Sequence, residues 1–318
     1  MSVPQVWQVS GCTGGSSYAD ALIRSGVALV GPGDGGPWRA GGTRYGDAFG
    51  SPVRRLAEEA EEGDIVLLRT DQATICAVGI VAGSYEYLPQ FDDVHGLDLQ
   101  HARRVRWLEL PDVYTFGHPV FGGSTPAFSQ VSGPDVVDFA RRVVRSEPSG
   151  WQYRRLPDLP PEESELGEPP EFIRGLVAQV HDLVGLYVDE GAFGEPPSES
   201  EMVAHYVVPL LRALGWRPEQ IALEWRRTDV ALFVSLPRAP ETCRCIIEAK
   251  RLGTGVEAAL QQGKDYAAAI GGQLDVVVTD GIRYRLYAAE RGYAPVAYAN
   301  LARLKQPALV LFDALRRP

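Results

Sequence analysis

Three residues in the C-terminal half, Asp229, Glu248 and Lys250, have types and spacing suited to hydrolysis of a phosphodiester. Asp229 opens the apolar run TDVALFVSL, and Glu248 and Lys250 close the next one, CIIEAK. On a strand, residues i and i+2 project from the same face, so Glu248 and Lys250 point together while Ala249 points away. If the two runs pair as a hairpin, Asp229 comes close to Glu248. Two carboxylates and one backbone carbonyl, that of Ala249, are hard oxygen ligands that suit Mg²⁺ with several waters retained, with Mn²⁺ expected to substitute. A nearby ammonium orients a metal-bound water and lowers its proton affinity, which serves in-line attack on phosphorus. Taken alone, Glu-x-Lys on a strand is usually a surface ion pair. Here Ile246 and Ile247 make the strand a buried one, and charges at its end need a partner or a task.

The elements that must position these groups follow from hydropathy. An amphipathic helix is expected over Glu171–Glu190, with Phe172, Ile173, Leu176, Val177, Val180, Leu183, Val184 and Tyr187 on one stripe. A second helix begins near Glu199. Three strands, Ile221–Trp225, the Asp229 run and the Glu248 run, then a helix over Val256–Ile270 and two further strands, predict an α/β sandwich with a mixed central sheet. Ser198-x-x-Glu201 has the form of a capping box, in which Glu201 bonds back to a backbone N–H.

The succession Glu201, PLLRALGW, TDVAL, IIEAK, Gln262 with Tyr266, and DVVVTDGIRYRLY resembles the PD-(D/E)xK nuclease core, in the version found at the start of type I restriction-enzyme motor subunits. The resemblance covers roughly residues 199–288. It implies that Asp229 and Glu248 bind metal, that Lys250 activates water, and that Gln262 lies beside the active site. It also implies a second reading of Glu201, as a helix acid directed into the site. Gln262 and Tyr266 are four apart, on one helical face. Thr228 stands where the family pattern has proline.

The N-terminal half alternates short strands with helices at the rim, as in a small curved mixed sheet. VWQVS, the glycine-rich loop to Trp38, GDIVLLR, AVGIVAGSYEY and RRVRWLEL resemble an EVE/PUA-like fold of the kind fused to restriction nucleases. That likeness implies a reader that flips a modified base, by expectation a modified cytosine, into an aromatic cage. Flipping requires aromatic faces and a few polar contacts to the base edge. Trp7 and Ser10 at the end of the first strand, with Trp38 in its loop, are the expected base pocket. Arg103, Arg104 and Arg106 are the expected phosphate contacts. For Trp7 and Trp107 core packing is the competing reading, and Tyr85 with Tyr87 reads as core.

Composition sets the limits. With 318 residues, 24 prolines and 34 glycines, the chain is too long for one small core. The expected division is residues 1–145, an acidic Pro-rich linker at 146–170, and residues 171–318. The expected fold class is therefore α/β (α+β): an EVE/PUA-like curved sheet domain followed by a restriction-endonuclease-like α/β/α domain. A 45% hydrophobic, 23% charged composition is that of a globular protein. Without a long apolar run or a secretory signal, the expectation is a cytoplasmic protein with no membrane partner. The four cysteines lack metal-site spacing and read as reduced, with Cys243 and Cys245 unable to pair easily. The five histidines, His95, His101, His118, His181 and His205, are scattered, without ligand spacing. A net charge of −10 is unusual for a nucleic-acid partner but compatible with a carboxylate-rich metal site. Lysine occurs at only three positions, Lys250, Lys264 and Lys305, against arginine elsewhere.

The expected function is that of a modification-dependent DNA endonuclease, a homodimer where both strands are cut. Two alternatives stand beside it: a restriction nuclease acting on unmodified DNA, and a nucleic-acid-binding module whose nuclease fold no longer cuts. RNA is a further substrate the first domain leaves open.

Overall fold

The computed structural model describes residues 3–13, 16–31, 33, 36–38, 52–94, 97–122, 126–146, 155–188, 197–251, 259–271 and 273–318, without the side chains of residues 13, 16, 109, 111, 187 and 188. The glycine-rich loop beyond Trp38, His95 and the stretch 147–154 of the expected linker lie outside the described residues. The chain is a mixed α/β protein of two units, residues 1–162 and 163–318, each built on its own six-stranded mixed sheet.

In the first unit β1 (Val6–Ser10) lies inside the sheet and is buried along its whole length. It pairs parallel with β3 (Ile65–Arg69) and antiparallel with β6 (Phe128–Gln130). Helix α1 (Ala19–Ser25) stops at Gly26, whose φ of 60° lets its N–H reach the carbonyls of Ile23 and Leu22 before β2 (Val27–Val30) begins. Two long strands, β4 (Thr74–Tyr87) and β5 (His101–Thr115), complete the order β2-β5-β4-β3-β1-β6, and α2 (Pro134–Ser146) follows. A helix that starts at Pro52 widens into a π-helix at Arg55–Glu59. Strand β6, three residues long, has too little alternation to be seen in sequence.

In the second unit α3 (Arg174–Val188) precedes a broken helix: α4 (Glu199–Met202), a π-turn over Val203–Val207, and α5 (Val208–Ala213). Pro209 has no N–H to offer the turn before it, and the helix widens there. Strands β7 (Ile221–Leu223), β8 (Val230–Phe233) and β9 (Cys243–Ala249) come next, then α6 (Ala259–Ile270), β10 (Asp275–Thr279), β11 (Arg283–Ala288), β12 (Ala294–Asn300) and α7 (Ala308–Leu315). The sheet order is β12-β11-β10-β9-β8-β7, with β9 and β10 its one parallel pair. One face packs on α3, α5 and α7, the other on α6.

The expected linker is not a free spacer. Leu159 packs on the first unit's core and the Pro157 carbonyl accepts from Arg104. On the other side of the division the Leu166 N–H donates to the Leu304 carbonyl (2.7 Å), and Glu165 pairs with Arg303 (3.0 Å). All four cysteines are free. A register shift where β8 meets β9 turns Cys243 and Cys245 into opposite cores of the sandwich. Among the described residues, no helix is long and apolar enough to cross a membrane.

Candidate active site

The β8–β9 hairpin pairs antiparallel with Val230 opposite Ile247, which brings Asp229, one residue before β8, to the level of Glu248. Asp229 is fixed from both sides. Its Oδ2 accepts from the Ala249 N–H at 2.7 Å, and its carbonyl accepts from the Glu224 N–H at 3.1 Å. The approach to Asp229 is strained, with φ of 52°, 49° and 75° at Glu224, Arg226 and Arg227. Such conformations cost roughly 1–3 kcal/mol each in non-glycine residues and persist where their surroundings over-determine them. The fully buried Thr228 supplies part of that constraint, its Oγ1 donating to the Trp225 carbonyl at 2.7 Å.

Glu248 has 0% exposure, and neither carboxylate oxygen completes a hydrogen bond among the described residues. Burial, with the Asp229 charge as the next contribution, pushes its pKa up to about 8, against the opposing pull of Lys250. A buried, unsatisfied carboxyl beside a second carboxylate has the donor chemistry of a hard-cation site, where the ion's charge replaces the missing hydrogen bonds. A pair of carboxylates has the donor set of a Mg²⁺ site, since that ion is commonly held by one or two carboxylates with water and substrate phosphates; among the described residues no group of three or more His, Cys, Asp or Glu gathers. Ala249 turns its side chain into the opposite core while its N–H holds Asp229.

Lys250 leaves the end of β9 with its N–H on the Thr279 carbonyl (2.8 Å). That carbonyl is placed by the tight turn after β10, where the buried Asp280 accepts from the N–H groups of Ile282 and Arg283 and from the Arg283 guanidinium. Lys250 Nζ donates to Gln262 Oε1 (3.1 Å), and Gln262 Nε2 donates to the Tyr266 hydroxyl (3.1 Å). Helix α6 thus reaches over the site along one face. It can lie that close because position 263 is glycine: a Cβ there would stand 2.6 Å from Val276 Cγ1 and 3.4 Å from Glu248 Cγ. Gly263→Ala is accordingly expected to lift α6 from the sheet. The overpacking cost of roughly 1–3 kcal/mol outweighs a gain of at most about 1 kcal/mol in helix propensity. Urea unfolding of the variant measures the balance.

Other expected site residues are placed elsewhere. Glu201 is a cap: its Oε2 accepts from the Ser198 N–H and Oγ (both 2.7 Å), and Ser198 Oγ accepts from the Glu201 N–H. Those bonds lower its pKa and occupy the carboxylate, so the capping reading replaces the metal-site one. Trp7 is 0% exposed, stacked on Phe128 at 5.2 Å, with its indole N–H donated to Asp64 (2.8 Å). A ring sealed in the core cannot stack on a base. Ser10 is also buried, its hydroxyl donated to the Cys12 carbonyl. Arg103 is 7% exposed and spends its guanidinium on the carbonyls of Leu56, Gly83 and Ala57. Arg104 donates to the carbonyls of Gly26 and Pro157. Both are internal struts, not phosphate contacts. Arg106 is half-buried, and Trp107 is core, with its N–H on the Val27 carbonyl.

Trp38 is half-buried; its N–H donates to the Tyr85 hydroxyl (2.8 Å) and its indole N–H to Glu58 (2.9 Å). Tyr85 stacks on the buried His101, whose Nδ1 lies 2.8 Å from the Tyr85 hydroxyl, and Tyr87 meets the same ring edge-on. Sequence reasoning set Tyr85 and Tyr87 aside as core and His101 as stray. The strand alternation that puts 85, 87 and the paired 101 on one face was the available signal.

A family model described as a domain of unknown function (DUF8426) matches residues 41–115. No curated protein matches the chain. Among solved structures the chain is similar to a fragment of a type I restriction enzyme HsdR subunit from Vibrio vulnificus YJ016, at 19% identity and a TM-score of 0.27. That match covers 38% of this chain and spans 27% of the other's length.

Proposed function

We propose that the second unit is a divalent-metal-dependent DNA endonuclease site and that the first unit directs it to modified bases. The observation that supports the nuclease reading is the buried Glu248 carboxylate, lacking a hydrogen bond among the described residues, beside Asp229 and at the same strand end as a lysine held by a glutamine. Asp229 and Glu248, with the Ala249 carbonyl, would hold Mg²⁺ or Mn²⁺. Bound there, the ion supplies Lewis-acid polarisation of the phosphate and a water of lowered pKa.

The chain's own groups do the positioning. Gln262 fixes the Lys250 ammonium on the face that Glu248 occupies, where its charge steadies the attacking water and the phosphorane as negative charge builds. Water attacks phosphorus and releases a proton to solvent, the P–O bond to the leaving sugar oxygen breaks, and that oxygen takes up a proton from solvent. One such site cuts one strand, so a double-strand break calls for two copies of the chain.

With Trp7, Ser10, Arg103 and Arg104 committed to internal bonds, the base-reading proposal turns to the ring faces of Trp38, Tyr85 and Tyr87. The test is digestion of plasmid DNA carrying methylated or hydroxymethylated cytosine beside unmodified plasmid, with Mg²⁺, with Mn²⁺ and with EDTA. Cleavage of modified DNA in metal alone is expected. Equal cleavage of both substrates removes the modified-base clause, and no cleavage of either removes the enzyme.

A further inference from the structure

Next to the site, on the α6 side of the sheet, lies a row of cations stacked on aromatic rings. The Arg226 guanidinium sits over Trp225 at 4.8 Å, and the Arg227 guanidinium over Tyr266 at 5.8 Å. Further along, Lys264 Nζ lies 5.4 Å from the Tyr293 ring. The three rings are half-buried and rest on one core cluster, the one beneath α6, where Trp225 meets Phe233 edge-on. Arg226 and Arg227 are exposed, and among the described residues neither meets a carboxylate at ion-pair distance. In a chain of net charge −10, it is unusual that among the described residues two guanidinium groups here stand without a carboxylate at ion-pair distance. The row is also joined to the chemistry. Tyr266, which carries Arg227 on its face, takes the hydrogen bond of Gln262, which in turn holds Lys250.

Backbone conformation supports the same conclusion. Both arginines hold positive φ, in a loop that leads directly to Asp229. A structural role would be served more cheaply by glycine or asparagine there. The side chains, not the backbone, account for arginine at these positions. Arginine in a stacked, pre-oriented fork is the residue suited to phosphate oxygens.

We infer that Arg227 and Arg226 form a clamp for the phosphodiester backbone of duplex DNA, holding the strand that lies across Asp229, Glu248 and Lys250. This rests on the nuclease reading of the site. Phosphates close to the cut meet Arg227, and those farther along β8 meet Arg226.

The experiment is binding of a fluorescent duplex to the full chain in EDTA, by anisotropy, across salt concentration. The variants are R226G/R227G, which removes both guanidinium groups while easing the backbone, and R226K/R227K, which keeps the charge. For two lost phosphate contacts, the slope of log affinity against log salt should fall by about 2 in the glycine pair. The wild-type advantage should then shrink about tenfold between roughly 50 and 200 mM salt. The lysine pair should keep most of the slope, and thermal unfolding should show both variants folded. An unchanged slope in the glycine pair, or no duplex binding by wild type, overturns the clamp. Cleavage with Mg²⁺ on the same samples separates the two ideas. Wild type that binds through these arginines and never cuts sinks the nuclease reading alone. Wild type that cuts, with a glycine pair of undiminished slope, sinks the clamp alone.

Discussion

Replacing Asp229 by Asn, Glu248 by Gln or Lys250 by Ala is expected to reduce Mg²⁺-dependent DNA cleavage by at least about a hundredfold in each case, the lower end of what one positioned acid–base or metal-orienting group contributes. The three losses should differ in kind. Glu248→Gln keeps the volume of a fully buried side chain but removes the charge that attracts a cation, so metal binding itself should fail. Asp229→Asn keeps an acceptor for the Ala249 N–H if its amide oxygen faces that group, yet halves the negative charge at the site. Lys250→Ala leaves both carboxylates in place, so metal should still bind while turnover falls. Isothermal titration with Mg²⁺ beside single-turnover cleavage distinguishes these outcomes. Glu201→Gln serves as the contrast. Its carboxylate is held by Ser198, so cleavage should stay at the wild-type level with a slight loss of helix stability. A Glu201 variant as inactive as Glu248→Gln would return that residue to the site and refute the assignment made from geometry.

Why the convergence of Asp229, Glu248 and Lys250 was readable while the surroundings of Trp7, Arg103 and Arg104 were not is a matter of range. Glu248 and Lys250 sit two apart on a run of buried residues, and Asp229 opens the neighbouring run. Strand periodicity and one hairpin therefore suffice to bring them together, and the register of Val230 with Ile247 does so. Gln262 and Tyr266 are one helical turn apart, again a local relation. Trp7, Arg103 and Arg104 depend on what lies far away in sequence. Trp7 meets Phe128 and Asp64, and Arg103 meets carbonyls from the π-turn near Arg55, partners between 46 and 121 positions away in sequence that no local pattern reveals. An aromatic residue in a first strand reads equally well as pocket or core until its neighbours are known. Glu201 was legible in both roles, because Ser-x-x-Glu encodes the cap that the structure contains. The left-handed backbone at Arg226 and Arg227 had no local signal, since arginine is a residue sequence rules place elsewhere.

The metal affinity of this protein is expected to climb about tenfold per pH unit up to pH about 8 and to level off above it, because Glu248 must shed a proton before it can bind a cation. The direction follows from the carboxyl's surroundings. Its ordinary value is 4.5, and burial beside Asp229 pushes it up to about 8 in the folded chain. A carboxyl that binds its proton more tightly folded than unfolded favours the folded state at acid pH, and that contribution is lost as pH rises from its unfolded value through the folded one. Over that window metal-free protein should lose a few kcal/mol, on the order of one tenfold factor in folding equilibrium per pH unit. Metal reverses the loss, because a cation bound only to the folded, ionised site stabilises by mass action. The increase in melting temperature on adding Mg²⁺ should therefore be small near roughly pH 6 and large near roughly pH 9. Glu248→Gln supplies the control. Its buried amide has a cost of its own, but that cost does not titrate, so the variant should show a flatter stability profile across the same window and little response to Mg²⁺ at any pH. Thermal melts of both proteins, with and without Mg²⁺, along a pH series decide the matter. Parallel profiles for wild type and variant would mean that Glu248 is already ionised and satisfied in solution, and the hard-cation reading of the site would lose its main support.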